Sequence, residues 1–142
     1  HEVGVIEVIA DVVGAWGALE ELGQPRVIVS PLREGRGWID CAHGRFPLPA
    51  PATLEILRGV ELEQVDENWE SITPTGAAIA REFAESFGPM PRMEIERIGY
   101  GIGTLSLPQR PNVLRAVLGR AQKDTETDTV IELENHPHDL SP

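Results

Sequence analysis

The sequence predicts an α+β fold, with two main helices packed on a mixed or antiparallel sheet of about six strands. Three observations carry this expectation. Apolar residues recur at steps of three and four in two stretches closed by glycine. Short β-branched or alternating stretches fill the remainder, separated by turn residues. Of 142 residues, 41% are hydrophobic and 25% charged, the balance of a globular domain with its own core.

Val5, Ile9, Val12, Trp16 and Leu19 share one face of a helix expected from Val5 to Leu22, with Gly23 as its stop. A second line on that helix is Glu7, Asp11, Gly14 and Ala18. Two like charges four apart disfavour a helix unless a cation or solvent relieves them, and the small residues let another backbone approach. Arg26 to Leu32 reads as a strand ended by Pro31. After a turn at Gly35 and Gly37, Trp38–Cys41 and Arg45–Leu48 form a hairpin around Ala42-His43-Gly44.

Pro47, Pro49 and Pro51 then fix φ at every second position and remove three donors, which predicts a stiff, extended arm. Such an arm serves either to hold a side chain still or as a strut. Pro51 suits a first helical position, and Gly59 closes a short helix through Leu54, Ile56 and Leu57. Val60–Val65 is a strand and Asp66–Ser71 an acidic loop. Thr73 caps the second main helix, Pro74 opens it and Gly88 terminates it, with Ile79, Phe83 and Phe87 as its buried stripe. Met93–Tyr100 is a strand, Gly99, Gly101 and Gly103 follow in a loop, and Val113–Leu118 and Thr129–Leu133 are two more strands. Residues 1–134 form one domain, and 135–142 a junction towards a further domain.

A formal net charge of −11 repels nucleic acid and anionic lipid, but tolerates cations such as metal ions. No apolar run approaches the roughly 20 residues of a membrane span. The lone Cys41 excludes an internal disulfide and fits a reducing, cytoplasmic setting. The chain opens on His1-Glu2-Val3-Gly4 immediately before a helix and stops at Ser141-Pro142, as a piece of a longer protein would.

The start of the Thr73 helix offers N–H groups and a positive dipole end to an anion, and Gly76 lets a ligand approach the backbone. An ordinary, well-capped helix would look the same. Gly99-Tyr100-Gly101-Ile102-Gly103-Thr104 is no dinucleotide fingerprint, since the third glycine would fall at Thr104 and no helix follows. It reads as a bulged strand or a close backbone approach. His1, His43, His136, His138, Cys41, Glu2, Glu7 and Asp11 are potential metal ligands. Cys41-Ala-His43 and His136-Pro-His138 would each place two donors on one face of a strand, but neither has a structural zinc spacing, and loop histidines are usually just solvated. Ser30 lacks a nucleophile-elbow context. Glu7 and Asp11 serve equally as paired carboxylates or as the first turns of a solvated helix.

Several pieces in order resemble one family: His1-Glu2-Val3-Gly4, Asp11-Val12-Val13-Gly14-Ala15, Ser30-Pro31-Leu32, His43-Gly44 with Pro47-Leu48-Pro49-Ala50-Pro51-Ala52-Thr53-Leu54-Glu55, Thr73-Pro74-Thr75-Gly76-Ala77-Ala78, the Gly99–Thr104 run, and Pro111-Asn112-Val113-Leu114-Arg115. Together they are similar to the LarC-type nickel-insertion proteins over nearly the whole chain. The resemblance implies a part in making the nickel-pincer cofactor of lactate racemase and related enzymes. Nickel is inserted into pyridinium-3,5-bisthiocarboxylic acid mononucleotide, forming nickel–sulfur bonds and a nickel–carbon bond. The activity it implies is that of a nickel-inserting lyase, of the cyclometallase or chelatase kind. CTP is consumed with a divalent metal, magnesium or manganese, in a C-terminal domain beyond this chain. Implied partners are the mononucleotide and the lactate racemase apoenzyme.

On these matches His1, Glu2, Asp11 and His43 are candidate metal or substrate contacts, and Thr73, Thr75 and Gly76 the phosphate cradle. Gly99, Tyr100, Gly101, Gly103, His136 and His138 are further candidates. Two departures stand out. Glu7 replaces the family's Asp, and Asn135-His136-Pro137-His138-Asp139 replaces an acidic junction, with two histidines that would add a metal site. A rival expectation is a non-catalytic scaffold driving homo-oligomerisation. A third is a nucleotide-binding module without metal.

Overall fold

A computed structural model describes residues 14–102, 113–123 and 126–134. Helix α1 covers residues 14–21 of the described chain. Gly23, at φ 81°, is the left-handed residue that ends it, and the Gln24 N–H returns to the Leu19 carbonyl at 2.8 Å. The expected start of this helix, with His1, Glu2, Glu7 and Asp11, lies outside the described residues. Leu19 and Leu22 pack on the core as the periodicity predicts. Trp16 does not: it is 55% exposed, with its ring tilted against that of Phe83 and centroids 6.2 Å apart.

The expected single strand at Arg26–Leu32 is two. β1 (Arg26–Val29) ends before Ser30-Pro31, and β2 (Leu32–Glu34) leaves for another sheet. Proline cannot donate to a ladder, so the chain changes partner there. β3 (Trp38–Cys41) and β4 (Gly44–Pro47) make the predicted hairpin, in register Trp38 to Pro47. The proline arm is shorter than expected. β4 ends at Pro47, the Leu48–Pro49 peptide is cis, and helix α2 (Pro51–Ile56) starts at once with Pro51 in its first turn. Leu57 is buried after α2, whereas Leu54 is half exposed and Thr53 is the residue α2 buries completely.

β5 (Leu62–Gln64) pairs in parallel with β2. Helix α3 (Pro74–Phe83) has the predicted N-cap, with the Gly76 N–H donating to Thr73 Oγ1 at 3.1 Å. It ends earlier than Gly88. After Ala84 the backbone is extended, and Glu85 and Gly88 donate to the Val27 and Val29 carbonyls at 2.8 Å each. Pairing with β1 replaces the helix's last turn, so Phe87 lies in the short strand β6 (Ser86–Phe87) and still packs on the same core.

β7 (Glu94–Ile102), β8 (Val113–Lys123) and β9 (Glu126–Glu134) form an antiparallel meander. Gly99 and Gly101 are therefore not in a loop: they sit inside β7, opposite Ala116 and Leu114. Gly103 lies outside the described residues. The five-stranded sheet has the order β6-β1-β9-β8-β7, with β1 parallel to both neighbours. Its alternation gives two faces. Val27, Val29, Ile131 and Leu133 pack with Leu57, Ile72 and Ala77 from the helical side, while Ile28, Val130 and Ala121 pack with Met93 on the other. The chain is thus α+β, as expected, with nine strands among the described residues in place of about six.

Candidate functional site

A cavity of about 430 Å³ opens between α3 and the sheet. Val29, Leu32 and Leu133 line its floor, and Gly76, Ile79 and Ala80 are its wall on α3. The ends of β7 and β8 supply the facing wall through Gly101, Ile102, Val113 and Leu114. Ser71, Ile72 and Thr73 form the rim that leads into the helix. The lining is mainly apolar, with a few polar groups gathered where α3 begins, as is common for small-molecule sites.

Those polar groups are partly committed. Pro74 has no N–H, the Gly76 N–H goes to Thr73 Oγ1, and the Ala77 N–H goes to the Thr73 carbonyl at 2.9 Å. The Thr75 N–H, the threonine hydroxyls and the positive end of α3 remain to receive an anion.

The rim is fixed from behind by two fully buried side chains. Glu34, on β2, accepts the Gly35 N–H at 2.8 Å and the Ser71 N–H at 2.6 Å, and the Ile72 N–H is shared between its two oxygens at 3.4 and 3.3 Å. Thr53 Oγ1, on α2, donates to the Ile72 carbonyl at 3.3 Å. Burial pushes the Glu34 carboxyl above the usual range and the charge of Glu70 adds to this, while the N–H groups of Ser71, Gly35 and Ile72 pull it back. Gly35 is obligatory here, because an added Cβ would overlap the Trp69 carbonyl oxygen.

Of the residues the sequence singled out, Thr73, Gly76 and Gly101 line this cavity. Thr75 belongs to the same first turn, without lining it. Gly99 and Tyr100 lie on β7, exposed. His43 stands exposed in the β3–β4 turn, away from the cavity lining. His1, Glu2, Asp11, Gly103, His136 and His138 lie outside the described residues. Among the described residues no three His, Cys, Asp or Glu side chains come together to hold a metal ion. No helix among them is long and apolar enough to cross a membrane. Sequence reasoning gave Glu34, Thr53 and Ile72 no role, although Thr53 stands within the proline-arm motif. A buried glutamate has no periodicity that marks it.

An apolar cavity with a helix start at its rim has the form common among small-molecule sites, and comparison with known proteins gives the family of the chain. The chain belongs to the nickel insertion protein family, which matches residues 1–142. It is 48% identical over 127 residues to the pyridinium-3,5-bisthiocarboxylic acid mononucleotide nickel insertion protein of Geobacillus kaustophilus, covering 89% of this chain and 31% of that protein. A protein of Syntrophotalea carbinolica, provisionally named a nickel insertion protein, is 51% identical over 144 residues, covering 100% of this chain and 36% of the relative. The chain thus spans about a third of the length of these relatives. No solved structure matches.

Proposed function

We propose that this chain is the substrate- and nickel-handling part of an enzyme that inserts nickel into pyridinium-3,5-bisthiocarboxylic acid mononucleotide, and that the cavity beside α3 receives the mononucleotide. The observation that carries this is the cavity itself: the motif Thr73-Pro74-Thr75-Gly76 starts α3, and Thr73 and Gly76 of it line the cavity. The phosphate sits at the mouth, meeting the Thr73 hydroxyl on the rim and, just beyond the lining, the Thr75 N–H and hydroxyl, where the dipole of α3 favours negative charge. The pyridinium ring lies towards Ile102 and Leu114, on the apolar wall.

Nickel is cargo in this reaction. His43, exposed on its hairpin, and His1, Glu2 and Asp11 are its proposed carriers, offering the imidazole and carboxylate donors that suit a borderline metal. His136 and His138 are a second proposed nickel site. CTP with magnesium or manganese is used by a part of the protein outside this chain, in a cytoplasmic lyase that supplies lactate racemase. The test is nickel insertion by the whole protein. Thr75→Ala is expected to raise KM for the mononucleotide, and His43→Ala to raise the nickel concentration needed for half-maximal rate. Unchanged values for both would overturn these roles.

One observation favours a second reading, that of an oligomerisation domain. β7 is an edge strand whose nine residues are all exposed, among them Ile95, Ile98, Tyr100 and Ile102. Analytical ultracentrifugation separates the two: a tight oligomer with no affinity for the mononucleotide supports the scaffold.

A further inference from the structure

Ile72 is held at both of its main-chain groups by side chains from other elements. Its N–H reaches the Glu34 carboxylate on β2, and its carbonyl receives the Thr53 hydroxyl on α2. Both side chains are 0% exposed, so neither touches ligand. Ser71 is held by the same carboxylate, at 2.6 Å, and the residue after Ile72, Thr73, is the N-cap of α3. The strand after Pro31, which carries Glu34, and the helix that follows the proline arm, which carries Thr53, thereby converge on one segment. Gly35 lets the chain after β2 pass close to the Glu67 and Trp69 carbonyls, just before the Ser71 and Ile72 N–H groups that Glu34 holds. The Gln64 amide ties Gly35 and Leu48 together, donating to their carbonyls at 3.2 and 3.0 Å.

We infer that Glu34 and Thr53 are positioning residues, which clamp Ser71 and Ile72 so that the cavity rim and the Thr73–Gly76 turn are preformed for the mononucleotide. This rests on the reading of the cavity as the mononucleotide site. The reason for a carboxylate is geometric. Three N–H groups converge on it, and a neutral amide would turn its own donors against one of them. A preformed rim spares the ligand the ordering of a loop, so its loss appears in substrate affinity and not in turnover.

The experiment is steady-state nickel insertion by the whole protein, varying the mononucleotide. Glu34→Gln and the isosteric Thr53→Val are each expected to raise KM about tenfold with kcat held within about twofold, the size set by losing one buried hydrogen bond. Because both act on Ile72, the double variant should be no more than about twofold worse than the weaker-binding single one. Thr53→Ser, which restores the hydroxyl, should recover the wild-type KM. Should Glu34→Gln fail to fold, the Thr53 pair decides alone. A lower melting temperature with KM unmoved overturns the inference, as does additivity of the two changes.

A control separates this from the cavity reading. Gly101→Leu places a side chain in the cavity from a strand position where an added Cβ meets only Leu114 Cβ, at 3.9 Å. If it raises KM while Glu34→Gln and Thr53→Val do not, the clamp is wrong and the cavity stands. If Gly101→Leu leaves KM unmoved, the cavity is not the mononucleotide site, and the clamp has no part in binding it.

Discussion

At the residue scale, two buried glutamates show what a partner does to the same side chain. Glu34 and Glu132 are both fully buried. Glu34 has three N–H donors. Glu132, on β9 between Ile28 and Val117, has no hydrogen-bond partner for either oxygen among the described residues. Burial pushes its carboxyl up to about 7, the charge of Glu134 adds to this, and Arg115 opposes it. Arg115 is itself tied to Glu134. The folded state therefore holds a proton on Glu132 that the unfolded chain releases at an ordinary 4.5. Its contribution is fully present below pH 4.5 and is lost as pH rises to about 7, a loss of about 3 kcal/mol. Glu34 and Glu70, both raised by burial, act in the same direction. We expect Glu132→Leu to flatten this decline and to stabilise the protein at neutral pH, which urea unfolding at pH 5 and pH 8 will check. A wild-type stability that rises between those values contradicts it.

The elements show where a sequence speaks and where it falls silent. Thr73 and Pro74 announced α3, and the structure keeps both as N-cap and first turn. Thr73→Ala should cost about 1 kcal/mol in chemical denaturation, the ordinary value of a lost N-cap. The end of α3 was not legible. Nothing in Glu85–Gly88 signals that the Glu85 and Gly88 N–H groups are needed by β1, because that demand comes from residues nearly 60 positions earlier. Gly99 and Gly101 misled for a related reason. Glycine favours loops on its own, but β8 offers them a complete ladder. The cavity follows the same division. Its α3 wall was visible as a motif, whereas Glu34 and Thr53 meet at Ile72, and Ile102 faces α3, only through the fold. Gly119 adds a test at this scale, since a Cβ there would come within 2.5 Å of the Glu94 carbonyl oxygen. We expect Gly119→Ala to loosen β7 from β8, read as faster amide exchange along β7 than along β9.

For the whole molecule, chain order and sheet order tell how the parts depend on one another. β1, from the start of the described chain, lies between β6 and β9. Residues more than 100 apart thus pair directly, as Arg26 does with Val130. Truncating Val130, which is 0% exposed on this central strand, should cost about 2 kcal/mol as Val130→Ala and lower a single cooperative transition. The same closure joins β1, α3 and the ends of β7 and β8 around the cavity, so the site is a property of the assembled domain and not of any one motif.

That cavity is the centre of the account, and direct binding tests it best. Calorimetric titration of the pyridinium mononucleotide into the whole protein should give one site, weakened about tenfold or more by Gly101→Leu, in line with the loss of a well-packed contact surface. Equal affinity of the two proteins would contradict it and move the substrate elsewhere.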